Sequence, residues 1–175
     1  MLAAGLTVAG AAHGAALTPV QKQLREIYQE LVETNTTGSV GSCTVAVTKM
    51  AKRLKAAGYR DAELRIVVPP GGPAKGNLVA RLKGDGSAKP LLLLAHVDVV
   101  EAKREDWVRD PFTLIEEDGK FYARGALDDK AQAAIWADSL IRFKKEGFKP
   151  RRTLKMALSF CGRELWPPRL VTSSR

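Results

Sequence analysis

Residues 91–100 read LLLLAHVDVV: an unbroken apolar run, then a histidine and an aspartate two positions apart. A run of strand length that follows the breakers Gly84, Gly86 and Pro90 predicts a β-strand buried on both faces and central to its sheet. Side chains alternate along a strand, so His96 and Asp98 fall on one face at its carboxyl end, where open α/β sheets present ligands. An imidazole beside a carboxylate suits a metal. One ring nitrogen can coordinate while the carboxylate holds the other N–H and fixes the tautomer. For an isolated H-x-D triplet, a histidine merely satisfied at a strand end is the better explanation, so a second element is needed.

The elements around this strand alternate in type. Thr18-Pro19-Val20-Gln21 has the form of a capping box with proline in the first turn. It starts a helix whose buried face is Val20, Leu24, Ile27, Tyr28 and Leu31, broken at Asn35-Thr36-Thr37-Gly38. A second helix is predicted over 42–57, with Val47, Met50 and Leu54 on one face and Gly58 as a left-handed C-terminal cap. Residues 62–68 and 77–82 read as strands separated by Pro69-Pro70-Gly71-Gly72-Pro73. Asp118-Gly119 is a hairpin turn between 112–116 and 120–124. A helix follows over 129–146, with Ile135, Trp136, Leu140 and Phe143 on one side and Gly147 and Pro150 closing it. Leu154, Met156, Leu158 and Phe160 alternate as a last strand. This order predicts an α/β domain, with a mixed, mainly parallel sheet flanked by helices.

The second element is Ala123-Arg124-Gly125-Ala126-Leu127-Asp128-Asp129-Lys130, a carboxylate pair between a strand and a helix, in which Asp128 could also serve as helix N-cap. Taken together, LLLLAHVDVV and GALDDK about thirty residues on resemble the paired signature of the metal-dependent family that contains aminoacylase, acetylornithine deacetylase, succinyl-diaminopimelate desuccinylase and glutamate carboxypeptidase. Trp107-Val108-Arg109-Asp110-Pro111-Phe112 is similar to the family's W-x-x-D-P-F segment, and Phe121-Tyr122-Ala123-Arg124-Gly125 to its strand before the aspartate. The similarity runs over residues 18–162, the N-terminal part of the family's fold.

This resemblance implies that His96 binds one metal ion, that Asp128 bridges two, generally zinc, and that Asp98 is the carboxylate behind His96. Asp129 and Lys130 occupy motif positions without an evident role and stand outside the expected site. Two divalent cations about 3.5–4 Å apart acidify a bridging water and polarise the scissile carbonyl of a peptide or N-acyl amino acid. A glutamate must then move the proton. In the family it is the first of a pair after a cysteine-containing strand end, which Leu158-Ser159-Phe160-Cys161-Gly162 resembles. Here Arg163 takes its position, and arginine stays protonated at neutral pH. Glu164 falls where the family's next glutamate is a metal ligand. Only His13 and His96 are present, so the distal histidine ligand has no counterpart. The expectation is at most one weakly held zinc ion and an inactive chain, with a non-catalytic remnant that binds metal or a partner as the alternative.

Residues 163–175 no longer resemble the family, which would continue into more of the catalytic domain and a dimerisation domain. A frameshift or truncation is the expected cause, a naturally shortened binding module the alternative. Residues 1–16, small, apolar and uncharged, have the composition of a signal peptide cut near Ala16, implying a periplasmic or secreted protein, or a cytoplasmic one without that signal. They are a poor membrane span. The partial catalytic domain is then 17–162. The net charge of +9, from 28 Lys and Arg against 19 Asp and Glu, is dispersed over helix faces without interleaved aromatics, which argues against nucleic acid as a partner. Cys43 and Cys161 are too few for a disulfide framework and read as small buried thiols.

Overall fold

The computed structural model describes residues 16–160. Helix α1, Pro19–Val32, starts as its sequence demands: the Thr18 hydroxyl accepts from Gln21 N at 3.3 Å and the Gln21 side chain accepts from Thr18 N at 2.8 Å. Its buried stripe is Ile27, Tyr28, Leu31 and Val32 with Leu24 partly covered, whereas Val20 is exposed. Helix α2, Cys43–Ala56, is capped by the Ser42 hydroxyl and buries Cys43, Ala46, Val47, Met50, Ala51 and Leu54. Gly58 ends it at φ +99°, and Tyr59 N donates back to Leu54 O at 3.1 Å, a left-handed cap that a Cβ would strain.

Strands β1 (Leu64–Val67), β2 (Asn77–Leu82), β3 (Leu91–His96) and β6 (Leu154–Ser159) form one sheet in the order β1-β2-β6-β3. A separate hairpin joins β4 (Ile115–Glu117) and β5 (Lys120–Tyr122) through Asp118 and Gly119, both at positive φ. The mixed α/β arrangement is the one expected, with a smaller parallel share: β3 and β6 pair in parallel, while β1–β2 and β2–β6 are antiparallel. Short loops allow β1 and β2 to run antiparallel, whereas β3 reaches β6 through the long crossover containing helix α3, Lys130–Lys145.

Alternation decides which sheet face is buried. Leu78, Ala80 and Leu82 of β2, Leu154, Met156 and Leu158 of β6 and Ala95 of β3 join residues of all three helices in one core. The opposite face carries Val79, Leu92 and Leu94, all exposed. Strand β3 is therefore not central and not covered on both faces, contrary to its sequence. Among the described residues it pairs only with β6, and Leu91, Leu92 and Leu94 stand 41%, 57% and 58% exposed. An apolar run encodes what a strand can bury, while actual cover comes from residues remote in sequence; here the helices supply it on one side.

Helix α3 also departs from the expected stripe. Its buried positions are Lys130, Ala133, Ala134, Ala137, Asp138, Leu140 and Ile141, whereas Ile135 is exposed and Trp136 and Phe143 are only partly covered. The helix packs on α1 as well as on the sheet, and its alanines face the close approach that leaves no room for longer side chains. No helix of the described residues is long and apolar enough to cross a membrane.

Candidate metal site

The parallel ladder sets His96 opposite Ser159 at the carboxyl end of β3. There the imidazole lies between two carboxylate-bearing residues. Its Nδ1 is 3.1 Å from the backbone carbonyl of Asp98 and 3.5 Å from the Asp98 Oδ1, and its Nε2 is 2.9 Å from Asp128 Oδ1. With the ring proton on Nδ1, donated toward Asp98, the Nε2 lone pair and the Asp128 carboxylate both direct electron density at one point. Two such donors repel unless a cation or a proton lies between them. In the other tautomer, Nε2–H donates to Asp128 and the point is filled by the proton.

This donor pair fits a zinc ion: imidazole nitrogen and carboxylate oxygen are ordinary zinc ligands at about 2.0–2.2 Å. The Asp98 residue behind Nδ1 is the customary support of a ligating histidine. The Asp128 side chain is 86% exposed and His96 is 30% exposed, so the site is open on the Asp128 side. Both line a cleft of about 480 Å³ with Asp98, Trp107 and Arg124. The Arg124 guanidinium lies 5.0 Å over the Trp107 ring, and Arg124 N donates to Pro111 O at 2.7 Å, which holds the 107–112 loop against the strand-to-helix turn.

Asp128 does not cap α3. Asp129 is the N-cap residue, yet its side chain makes no capping hydrogen bond; instead Oδ2 accepts from the backbone N of His96 at 3.2 Å. Asp129, expected outside the site, is thus brought against the end of β3, and its place in LDDK is the local signal for it. The Asp128–Asp129 peptide is cis.

Lys130, also expected outside the site, is the largest wholly buried side chain among the described residues, with Nζ donating to Thr34 O at 2.8 Å. Burial pulls its pKa down to about 8, with the Asp98 carboxylate among the groups that oppose the shift. Cys43 is buried as expected, and its thiol is pushed up to about 12, first by burial and then by Asp98, with Lys130 opposing; such a thiol is inert at neutral pH.

Among the described residues no group of three or more His, Cys, Asp or Glu side chains is placed to hold a metal ion. His13, Cys161, Arg163 and Glu164 lie outside the described residues, as do most of the expected signal and the whole of 163–175. A second cavity, of about 500 Å³, is walled by Leu24, Tyr28, Phe121, Leu127 and Ile135, and offers no metal-ligating cluster.

Comparison with known proteins accords with this geometry. N-fatty-acyl-amino acid synthase/hydrolase PM20D1 of Xenopus tropicalis is 45% identical over 74 residues, covering 42% of this chain and 14% of that protein. Acetylornithine deacetylase of Erwinia tasmaniensis is 34% identical over 117 residues, covering 66% of this chain and 30% of that protein. The chain thus spans less than a third of the length of these relatives. The crystal structure of human carnosine dipeptidase 1 superposes with a TM-score of 0.62 at 23% identity, covering 80% of this chain and 32% of that one, a likeness of fold. Residues 92–161, which hold both arms of the site, match the model of peptidase family M20/M25/M40.

Proposed function

We propose that this chain carries the His96–Asp128 part of a zinc site from a hydrolase of peptide or N-acyl amino-acid amide bonds. We propose further that the 175-residue chain by itself holds at most one zinc ion weakly and turns no substrate over. The convergence of His96 Nε2 and Asp128 Oδ1 at 2.9 Å in an open cleft carries the reading. The relatives named above act, by their names, on N-fatty-acyl amino acids and acetylornithine, which supports an amide bond next to an amino acid as the substrate. His96 and Asp128 would hold the ion, and Asp98 would keep the Nδ1 proton so that Nε2 stays free to bind. Zinc, when bound, supplies Lewis acidity to a carbonyl and an acidified water.

Proton transfer is the step these residues leave unserved. Asp98 is engaged behind the ring, and Arg163, at the place of the family's proton-transfer glutamate, holds its own proton at neutral pH. General acid–base help is worth roughly 10²–10⁴-fold in rate, and a site with two ligands among the described residues adds the loss of a firmly held ion. Calorimetric zinc titration and assays on N-acetyl amino acids and dipeptides test the reading. The expected result is binding of no more than one ion, abolished by His96→Ala, with hydrolysis no faster than zinc alone. Two tightly held ions per chain, or turnover lost in His96→Ala, would overturn it.

A further inference from the structure

A buried ammonium that donates to a backbone carbonyl is a costly feature, since an apolar side chain of the same length would fill the space without desolvating a charge. Lys130 is such a group, and its surroundings show what it holds. Its acceptor, Thr34 O, begins the turn after α1. Two residues on, the Thr36 hydroxyl donates to Val97 O at 2.7 Å, and Thr36 O accepts from Val99 N at 3.2 Å. These bonds bracket Asp98 and adjoin His96. The turn itself is braced: Asn35 Oδ1 accepts from Thr37 N at 2.9 Å, and Lys49 Nζ donates to the Thr34 hydroxyl at 2.9 Å.

At the other end, Lys130 is the first residue of α3, directly after Asp128 and Asp129, and Tyr28 of α1 donates to Ala126 O at 2.7 Å just before them. Both arms of the site, the end of β3 and the start of α3, are therefore fastened to the residues that end α1. We propose that Lys130 is a positioning residue: its bond to Thr34 O, continued through Thr36 to Val97 and Val99, fixes the strand end bearing His96 and Asp98 against the helix start bearing Asp128. This rests on the zinc-site reading for its purpose, but the tether is tested without metal.

Lys130→Met keeps the length and removes the donor and charge. In the metal-free full chain, proton–nitrogen NMR of the histidine rings reads the His96 tautomer, with His13 identified by its own substitution. Hydrogen exchange of the Val99 amide reads the Thr36 link. The expected result for Lys130→Met is a mixed or broadened His96 ring signal and Val99 exchange faster by about 10-fold or more, through local opening, with a melting midpoint close to that of the parent. Thr36→Val, which cuts the chain of bonds farther along, should give the same His96 signature, whereas Leu54→Val, a core change in α2, should leave it unmoved. Should Lys130→Met not fold, Thr36→Val decides. An unchanged His96 ring and Val99 exchange in the folded variants, or an equal disturbance by Leu54→Val, overturns the proposal. Zinc binding, measured separately, can fail or succeed independently of this outcome.

Discussion

Gly125 shows how tightly the turn before Asp128 is drawn. Its φ is +78°, and a Cβ there would stand 2.6 Å from Val99 Cγ1 and 3.2 Å from Lys130 Cδ. The crowding involves both sides of the site, because Val99 follows Asp98 and Lys130 follows Asp129. Gly119, at φ +69° in the hairpin turn, has no atom within 4 Å of such a Cβ. Alanine at 119 should cost only the left-handed backbone preference, roughly 1–2 kcal/mol. Alanine at 125 should cost that and about 1–3 kcal/mol more for the displaced neighbours. Urea denaturation of the two variants measures the difference directly. Equal losses would mean that the close approach at 125 does not constrain the fold.

Among the elements, β3 and β6 pair with each other yet present opposite energetic cases. Leu158 is wholly buried in the core, and Leu158→Ala should lower stability by about 2–5 kcal/mol, as a deleted core side chain does. Leu94, in the neighbouring strand, is 58% exposed, so Leu94→Lys should change the urea midpoint by no more than roughly 0.5 kcal/mol in free energy. A loss near that of Leu158→Ala would show that the outer sheet face is covered in solution. The contrast also marks where sequence was informative. The Thr18 capping box, the Asp118-Gly119 turn and the alternation of β6 are local signals, and each appears where predicted because it depends on residues within a few positions. The strand position of β3 and the buried stripe of α3 depend on neighbours distant in sequence, which periodicity does not encode. The site divides in the same way. His96, Asp98 and Asp128 were legible as a motif, but the bond from His96 N to Asp129 and the burial of Lys130 arise only when the helix start closes on the strand end.

Over the whole molecule, the far end of α3 is fastened as firmly as its start, by a cluster that titrates. Glu63, in the turn before β1, is buried at 8% exposure and takes Lys144 Nζ at 3.1 Å, Arg60 N at 2.8 Å and the Arg60 guanidinium at 3.4 Å. Lys144 also lies 4.7 Å over the ring of Tyr59, whose hydroxyl donates to Leu140 O at 3.1 Å. Burial alone would push the Glu63 carboxyl up, but the hydrogen bonds from Arg60 and Lys144 and the Lys144 charge outweigh it and hold the pKa at about 2, below the usual 4.5. A carboxyl whose folded pKa is depressed binds fewer protons in the folded state. Its stabilisation is complete above pH 4.5 and is lost as pH falls toward 2. Glu63→Gln should therefore lower stability at neutral pH, and its deficit against the parent should shrink steadily from pH 4.5 to 2, because the parent loses the ion pair that the variant never had. Urea midpoints of both proteins across that range give the difference curve. A deficit that stays constant down to pH 2 would show that the contribution of Glu63 is packing and not charge, and would remove this cluster from the account of what joins α3 to the sheet.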